Sequence, residues 1–83
     1  MKKISAVDFG LSSRINLVQS DDHIGIIIER KSRIIMSDGL RILNHAKKIN
    51  EIQNTKIRLY TSAPICSKTI EFLKKNNIDI DSI

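Results

Sequence analysis

The spacing of apolar residues changes once along this chain, and that change constrains the fold more than any other feature. Before residue 37 the apolar residues form short runs, KKISAVDF, RINLVQ and IGIIIER, with the polar SDDH between the second run and the third. Short apolar or alternating runs bounded by polar residues are typical of strands, and two runs around one turn predict a hairpin. Gly25, inside the third run, weakens that strand or marks a close approach of another group.

From Ser37 onward the apolar residues recur about every three positions, which is typical of a helix. Ser37 or Asp38 is the expected N-cap, because both side chains can accept a hydrogen bond from a free backbone N–H. The predicted buried stripe consists of Leu40, Leu43, Ala46, Ile49 and Ile52, widened by Ile42.

A fourth strand and a second helix are predicted after this helix. KIRLYTS is rich in β-forming residues and ends in Thr61 and Ser62. Pro64 is expected to open the second helix, where its missing N–H has no cost, and Asn76-Asn77 to end it. IDIDSI is a candidate fifth strand. We therefore expect one α/β domain, residues 1–83, with a small partly parallel sheet, a β-hairpin extension and two helices.

Composition limits the classes of function without choosing one. The net charge of +5 permits nucleic acid or phosphate partners, and the 4% of aromatic residues argues against a base-stacking platform. The single cysteine, Cys66, excludes an intramolecular disulfide and fits a reducing compartment. No apolar run approaches a membrane span, and the first residues make a poor signal peptide, so we expect a cytoplasmic protein with no membrane partner.

Polar residues follow two of the predicted strands. Asp8 ends the first, and Thr61 and Ser62 end the fourth, just before a helix. Helical crossovers between parallel strands would make these two strands neighbours, and chemistry in such sheets collects at the carboxyl ends of the strands. A carboxylate there could bind Mg²⁺ or attack phosphorus, and the hydroxyls could hold a phosphate. Simple turn formation and helix capping explain the same residues.

The order of the segments along the chain resembles that of a known family. These segments are VDFG, the hairpin RINLVQSDDHIGIIIER, SDGLRILNHAKKI, KIRLYTS and SKTIEFLKKNNI. The chain is similar to the first half of a haloacid dehalogenase-like phosphatase, a Rossmann-like domain. Within that superfamily it resembles the capless branch, typified by 3-deoxy-manno-octulosonate 8-phosphate phosphatase.

The resemblance implies specific roles. Asp8 would be the catalytic nucleophile and a Mg²⁺ ligand, the backbone carbonyl of Gly10 a second ligand, and Thr61 or Ser62 the phosphate-binding group; Asp38 is a possible additional site residue. The substrate would be a phosphorylated small molecule. The family usually carries a second Asp two positions after the nucleophile, where this chain has Gly10, and its later lysine and acidic residues are missing. We therefore expect weak or no activity from the lone chain, with a partner chain or a homo-oligomer completing the site.

Other interpretations stay open. A ribonuclease H-like fold would use Asp8 and Asp38 as metal carboxylates, although Thr61-Ser62 then replace an expected acidic residue. Glu29 and Lys31 form an acidic-x-Lys pair, which metal-dependent nucleases of the restriction-enzyme type use with an upstream Asp. A non-enzymatic module that binds nucleic acid or protein is the general alternative.

The remaining chemistry-bearing residues are expected to be structural. We expect His23 to lie in a turn and His45 on the helix surface, because neither has a second potential ligand at the spacing that metal sites require. Cys66 is expected to be a small buried apolar residue that packs against the sheet and reacts slowly with thiol reagents.

Overall fold

The computed structural model describes residues 2–83, in which five strands and two α-helices alternate. A 3-10 helix, Ala6–Phe9, follows the first strand. The strands are β1 (Lys2–Ser5), β2 (Asn16–Gln19), β3 (His23–Ile28), β4 (Lys56–Thr61) and β5 (Ile78–Ser82), and the helices are α1 (Met36–Ile52) and α2 (Ser67–Lys75).

All five strands form one mixed sheet in the order β1-β2-β3-β4-β5. β1, β2 and β3 pair antiparallel, as a meander, whereas β3, β4 and β5 pair parallel. The predicted α/β class, partly parallel sheet, hairpin and two helices are therefore confirmed. No helix within residues 2–83 combines the length and the apolar character that crossing a membrane requires.

The predicted neighbour of β4 is wrong. We expected the strand that bears Asp8 to lie beside the strand that bears Tyr60, but the partner of β4 on that side is β3, and β1 forms the edge. The physical reason is the length of the antiparallel meander. The short turn of residues 20–22 joins β2 to β3, and the longer connection of residues 6–15 returns the chain beside β1, so the three strands stay in sequence order and the helical crossover starts from β3.

One face of the sheet holds the core. Both crossovers move across the sheet in the same direction, and right-handed crossovers then place both helices on the same face. Alternate residues of the strands point to that face and are buried there, including Ile24, Ile26, Ile57, Leu59 and Ile78. The other face is open and carries His23, Gly25 and Ile27 of β3, Arg58 and Tyr60 of β4, and Asp79 and Asp81 of β5.

The helix boundaries differ from expectation in detail. α1 begins one residue before Ser37, and the residue that flanks its start is Ile35 rather than Ser37 or Asp38. Asp38 nevertheless serves the helix start, because its carboxylate accepts the backbone N–H of Ile35 at 2.9 Å. The buried stripe of α1 consists of Gly39, Ile42, Ala46 and Ile49; Leu40 and Ile52, which we expected inside, are 51% and 61% exposed.

The predicted start of the second helix, at Pro64, is also wrong. α2 begins at Ser67 rather than at Pro64, and Cys66 is its N-cap residue. The residues between β4 and α2 instead run beside the loop that precedes α1, where Ile34 and Ile65 form a parallel bridge. The backbone N–H of Ile34 donates to Pro64 O at 2.8 Å, and the backbone N–H of Cys66 donates to Ile34 O at 3.1 Å. This bridge binds the two loops at the carboxyl end of the sheet.

Candidate functional site

Asp8 does not end a strand. β1 stops at Ser5, and Asp8 lies exposed in the 3-10 helix that follows. Gly10 ends this helix in the left-handed conformation (φ 74°), and its N–H donates to Val7 O at 3.0 Å. Glycine suits that position because a side chain at positive φ is strained.

The strand order separates the elements that carry Asp8 and Thr61. β1 runs in the same direction as β4, so Asp8, which follows β1, and Thr61, which ends β4, lie toward the same end of the sheet. However, two strands separate β1 from β4, and at ~4.8 Å per strand spacing these two strands are roughly 14 Å apart. β1 and β4 therefore do not place their carboxyl ends side by side.

Thr61 and Ser62 differ in their access to solvent. Thr61 is 2% exposed, and its hydroxyl oxygen accepts the backbone N–H of Ala63 at 3.0 Å, so this hydroxyl faces the protein interior. Ser62 is exposed beside it. The backbone around Thr61 is also occupied, since its carbonyl accepts the N–H of Ile83 at 3.1 Å.

The donor set around Asp8 does not fit a Mg²⁺ site. Mg²⁺ prefers several oxygen ligands, usually with more than one carboxylate nearby. Within residues 2–83 there is no cluster of three or more His, Cys, Asp or Glu side chains able to hold a metal ion.

Asp38, the possible additional site residue and a metal carboxylate in the ribonuclease H-like interpretation, is part of an ion pair. Its carboxylate oxygen lies 2.6 Å from Arg30 Nη2 and accepts the Ile35 N–H as well. The hydrogen bond from Arg30, supported by the one from Ile35, holds the pKa of Asp38 below its usual value. Arg30 also donates to the carbonyls of Ser32 and Arg33 at 3.2 Å, so this ion pair fixes the loop between β3 and α1.

A cleft opens beside this ion pair. It has a volume of about 280 Å³ and lies between the first turns of α1, the end of β3 and the start of β2. Its lining combines isoleucines with charged and polar residues: Arg14, Ile15, Asn16, Ile26, Ile27, Ile28, Glu29, Asp38, Arg41, Ile42 and His45. We call it the α1–β3 cleft.

Of the acidic-x-Lys pair, Glu29 lines this cleft, whereas Lys31 is not among its lining residues. Asn16 of β2 is paired with Ile27 of β3, and Glu29 follows two residues later in the direction that leaves the sheet. Glu29 and Lys31 are both exposed. The β2 residue nearest to Glu29 in the register is thus an asparagine, not a carboxylate.

A hydrogen-bonded chain on the open face of the sheet was missed by sequence reasoning. His23 Nδ1 lies 2.7 Å from Asp22 Oδ1, and His23 Nε2 lies 2.6 Å from Tyr60 Oη. Because a carboxylate only accepts, the Nδ1–H of His23 donates to Asp22, and Nε2 shares a hydrogen bond with the Tyr60 hydroxyl. The hydrogen bond from His23 lowers the pKa of Asp22. The sequence feature that indicates a contact on this face is Gly25, which lies two residues after His23 and therefore on the same side of the sheet.

His45 and Cys66 also differ from their expected places. His45 is half-buried in the cleft rather than on the helix surface, and this burial, with the charges of Arg41 and Lys48, lowers its pKa. Cys66 is half-buried at the start of α2, with Sγ 2.9 Å from Thr69 Oγ1. That hydrogen bond lowers the pKa of the thiol.

No protein-family model and no curated protein matches this sequence. Among solved structures, the fold is similar to part of the crystal structure of a repair endonuclease from Pyrococcus abyssi, with a TM-score of 0.64 over 83% of this chain. The sequence identity is 8%, and the match covers 30% of that protein's chain. At this identity the likeness shows a shared arrangement of strands and helices and nothing about a shared activity.

Proposed function

We propose that this chain is a nucleic-acid-binding module that contacts phosphates at the carboxyl end of its sheet and has no strong cleavage activity of its own. The observation that carries the proposal is the α1–β3 cleft, with Arg14 and Arg41 in its lining and Arg30 held beside it by Asp38. Guanidinium groups around a concave surface suit phosphate oxygens, which they can bind in a bidentate manner.

The distribution of the two basic residue types supports this location. Four of the five arginines, Arg14, Arg30, Arg33 and Arg41, belong to the strand ends, loop and first helical turns around the cleft. Most lysines lie elsewhere, toward the amino ends of the strands and the carboxyl ends of the helices: Lys2, Lys3, Lys47, Lys48, Lys56, Lys74 and Lys75. Lysines near helix carboxyl ends are explained by the helix dipole alone, whereas the arginine cluster has no such explanation.

The structural neighbour supports a nucleic-acid partner by analogy of fold. It is a repair endonuclease, and 30% of its chain matches this fold with a TM-score of 0.64. Cleavage is a weaker proposal than binding for this chain. Glu29 and Lys31 offer one carboxylate and one lysine, the β2 residue near Glu29 is Asn16 rather than a second carboxylate, and Asp38 is engaged by Arg30.

The test is a binding titration with a fluorescently labelled DNA oligonucleotide, repeated at several salt concentrations. The wild-type affinity should fall steeply with salt, because phosphate contacts release counterions. Reversing both cleft charges (Arg14→Glu with Arg41→Glu) should weaken binding by about tenfold or more, since several phosphate contacts are replaced by repulsion.

The matched control reverses Lys74 and Lys75, which are exposed in the last turn of α2 at the opposite end of the molecule. This double variant (Lys74→Glu with Lys75→Glu) has the same net charge as the cleft variant but leaves the cleft intact. It should lose clearly less affinity. Equal losses in the two variants would show that only the overall charge attracts DNA, and absence of wild-type binding would remove the proposal.

Phosphatase-like activity stays a prediction, and the strand order leaves it without the neighbouring Asp8 and Thr61 that it invoked. We expect the purified chain to release phosphate from a generic monoester barely above background with Mg²⁺, because general acid–base help worth ~10²–10⁴ in rate is missing. Gly10→Asp should not restore turnover. Phosphate release by the wild type, Gly10→Asp and Asp8→Asn checks this; robust turnover that Asp8→Asn abolishes would reinstate the phosphatase interpretation.

A further inference from the structure

The α1–β3 cleft has an apolar inner wall that phosphate binding does not need. Ile26 and Ile42 are almost fully buried there, at 1% exposure each. Ile15 and Ile28 lie one residue beyond the last paired residues of β2 and β3, so they are opposite each other on the helix-facing side of the sheet. Both are only half-buried. The cleft therefore keeps an accessible aliphatic surface inside a charged rim.

The rim carries groups of mixed chemistry. Arg14 and Arg41 are exposed cations, and Glu29 is an exposed carboxylate. Burial of His45, together with the positive charges of Arg41 and Lys48, lowers its pKa. Its imidazole is therefore neutral near pH 7 and can both donate and accept a hydrogen bond. Asp38 also lines the cleft, but Arg30 and the N–H of Ile35 already use its carboxylate.

We infer that the α1–β3 cleft binds one unstacked nucleotide, with the base against Ile15 and Ile28 and the phosphate at Arg14 and Arg41. The inference rests on the proposed function and gives it a site and a size. A volume of about 280 Å³ is at the lower end of the range for small-molecule sites, enough for one nucleotide and too small for a stacked pair. A base has apolar faces and polar edges, which match aliphatic walls beneath a rim that contains a carboxylate and a neutral imidazole.

An inorganic anion alone explains the arrangement less well. It would be served by the arginines and would gain nothing from the half-buried isoleucines, while Glu29 would repel it. A nucleotide can contact both the isoleucines and Glu29. Its base packs on the isoleucines, and its sugar hydroxyls or exocyclic amino group can donate to the Glu29 carboxylate.

The probes are adenosine 5′-monophosphate and ribose 5-phosphate, which carry the same phosphate and sugar and differ in the base. Binding is followed by the NMR signals of the isoleucine methyl groups. The adenosine compound should bind about tenfold more tightly and shift the methyl signals of Ile15 and Ile28, because contact of a base with a side chain stabilises a complex. The signals of Ile65 and Ile80, which are partly buried elsewhere in the fold, should not move.

A matched pair of variants locates the base. Ile28→Thr keeps a β-branched residue at the end of β3 but makes the wall polar, and it should bring the affinities of the two probes to within about twofold. Ile80→Thr makes the same change on β5 and should preserve the difference. Equal affinities for the two probes in the wild type, or a preference unaffected by Ile28→Thr, would overturn the nucleotide site.

Failure of this inference and failure of the proposed function are distinguishable. If DNA binding depends on Arg14 and Arg41 while adenosine 5′-monophosphate leaves the Ile15 and Ile28 signals unchanged, the nucleotide site is wrong and the phosphate surface stands. If the charge reversals also leave DNA binding unchanged, both are wrong.

Discussion

Replacing Gly25 with alanine is expected to lower the free energy of unfolding by about 1–3 kcal/mol, the range for overpacking a well-packed site. A Cβ at Gly25 would lie 2.7 Å from Cδ2 of Tyr60, closer still to Cε2 of that ring, and 2.9 Å from Cγ2 of Val18. Carbon atoms that are not bonded to each other do not approach so closely, so the ring must leave the sheet surface. The Tyr60 hydroxyl then loses its hydrogen bond with His23 Nε2, which lies 2.6 Å away in the wild type. Urea unfolding followed by circular dichroism measures the change.

A double-mutant cycle identifies the ring as the cause. In a Tyr60→Val background the ring is absent while a β-branched residue preserves the strand, so Gly25→Ala should be nearly neutral or stabilising there. Alanine is otherwise preferred to glycine inside a strand by roughly 0.5–1 kcal/mol. Without the ring, the effect of Gly25→Ala on the free energy of unfolding can therefore change from destabilising to stabilising. If Gly25→Ala has the same effect in both backgrounds, the ring of Tyr60 is not the obstacle, and the contact with Val18 or the backbone is responsible.

Gly25 also shows what the sequence could and could not predict. A glycine inside an apolar strand indicates a close approach, and the approach is real. The approaching group could not be named, because Tyr60 is distant in sequence and reaches Gly25 only through the parallel pairing of β3 with β4. The strands and helices mostly followed from local periodicity, although the first apolar run, KKISAVDF, divides into β1 and the 3-10 helix.

The candidate site was predicted less well because it depends on which strands are neighbours. Treating β1 as the partner of β4 placed Asp8 beside Thr61, whereas the antiparallel meander moves β1 to the edge. The arginines around the cleft are dispersed in the sequence from residue 14 to residue 41, so no short motif marked them. Asp38 and His45 were noticed as single residues. The ion pair of Asp38 with Arg30 depends on how the loop folds back to the start of α1, and the place of His45 in the cleft depends on how α1 packs over the end of β3.

Ile34→Ala is expected to lower the free energy of unfolding by about 2–5 kcal/mol, the usual range for truncating a buried isoleucine. Ile34 is 0% exposed and belongs to the core, although it lies in the loop between β3 and α1 rather than in a regular element. Its side chain anchors the parallel bridge to Ile65, and the two backbone hydrogen bonds of that bridge depend on the loop staying in place. Truncation leaves a cavity beneath the loop that carries Arg30 and Arg33.

The adjacent residue supplies the control. Ile35 has the same side chain but is 50% exposed, so Ile35→Ala should change the free energy of unfolding by no more than about 0.5 kcal/mol. If Ile34→Ala proves too unstable to purify, Ile34→Val, which removes one methyl group, should cost about 0.5–1.5 kcal/mol. Thermal and urea unfolding of the three variants measure these values, and equal losses at positions 34 and 35 would contradict the anchoring role. A domain of this size has only ~5–15 kcal/mol of stability, and each kcal/mol shifts the melting temperature by about 4–8 °C. One buried side chain in a loop should therefore decide whether the arginine-bearing end of the sheet holds its shape at physiological temperature.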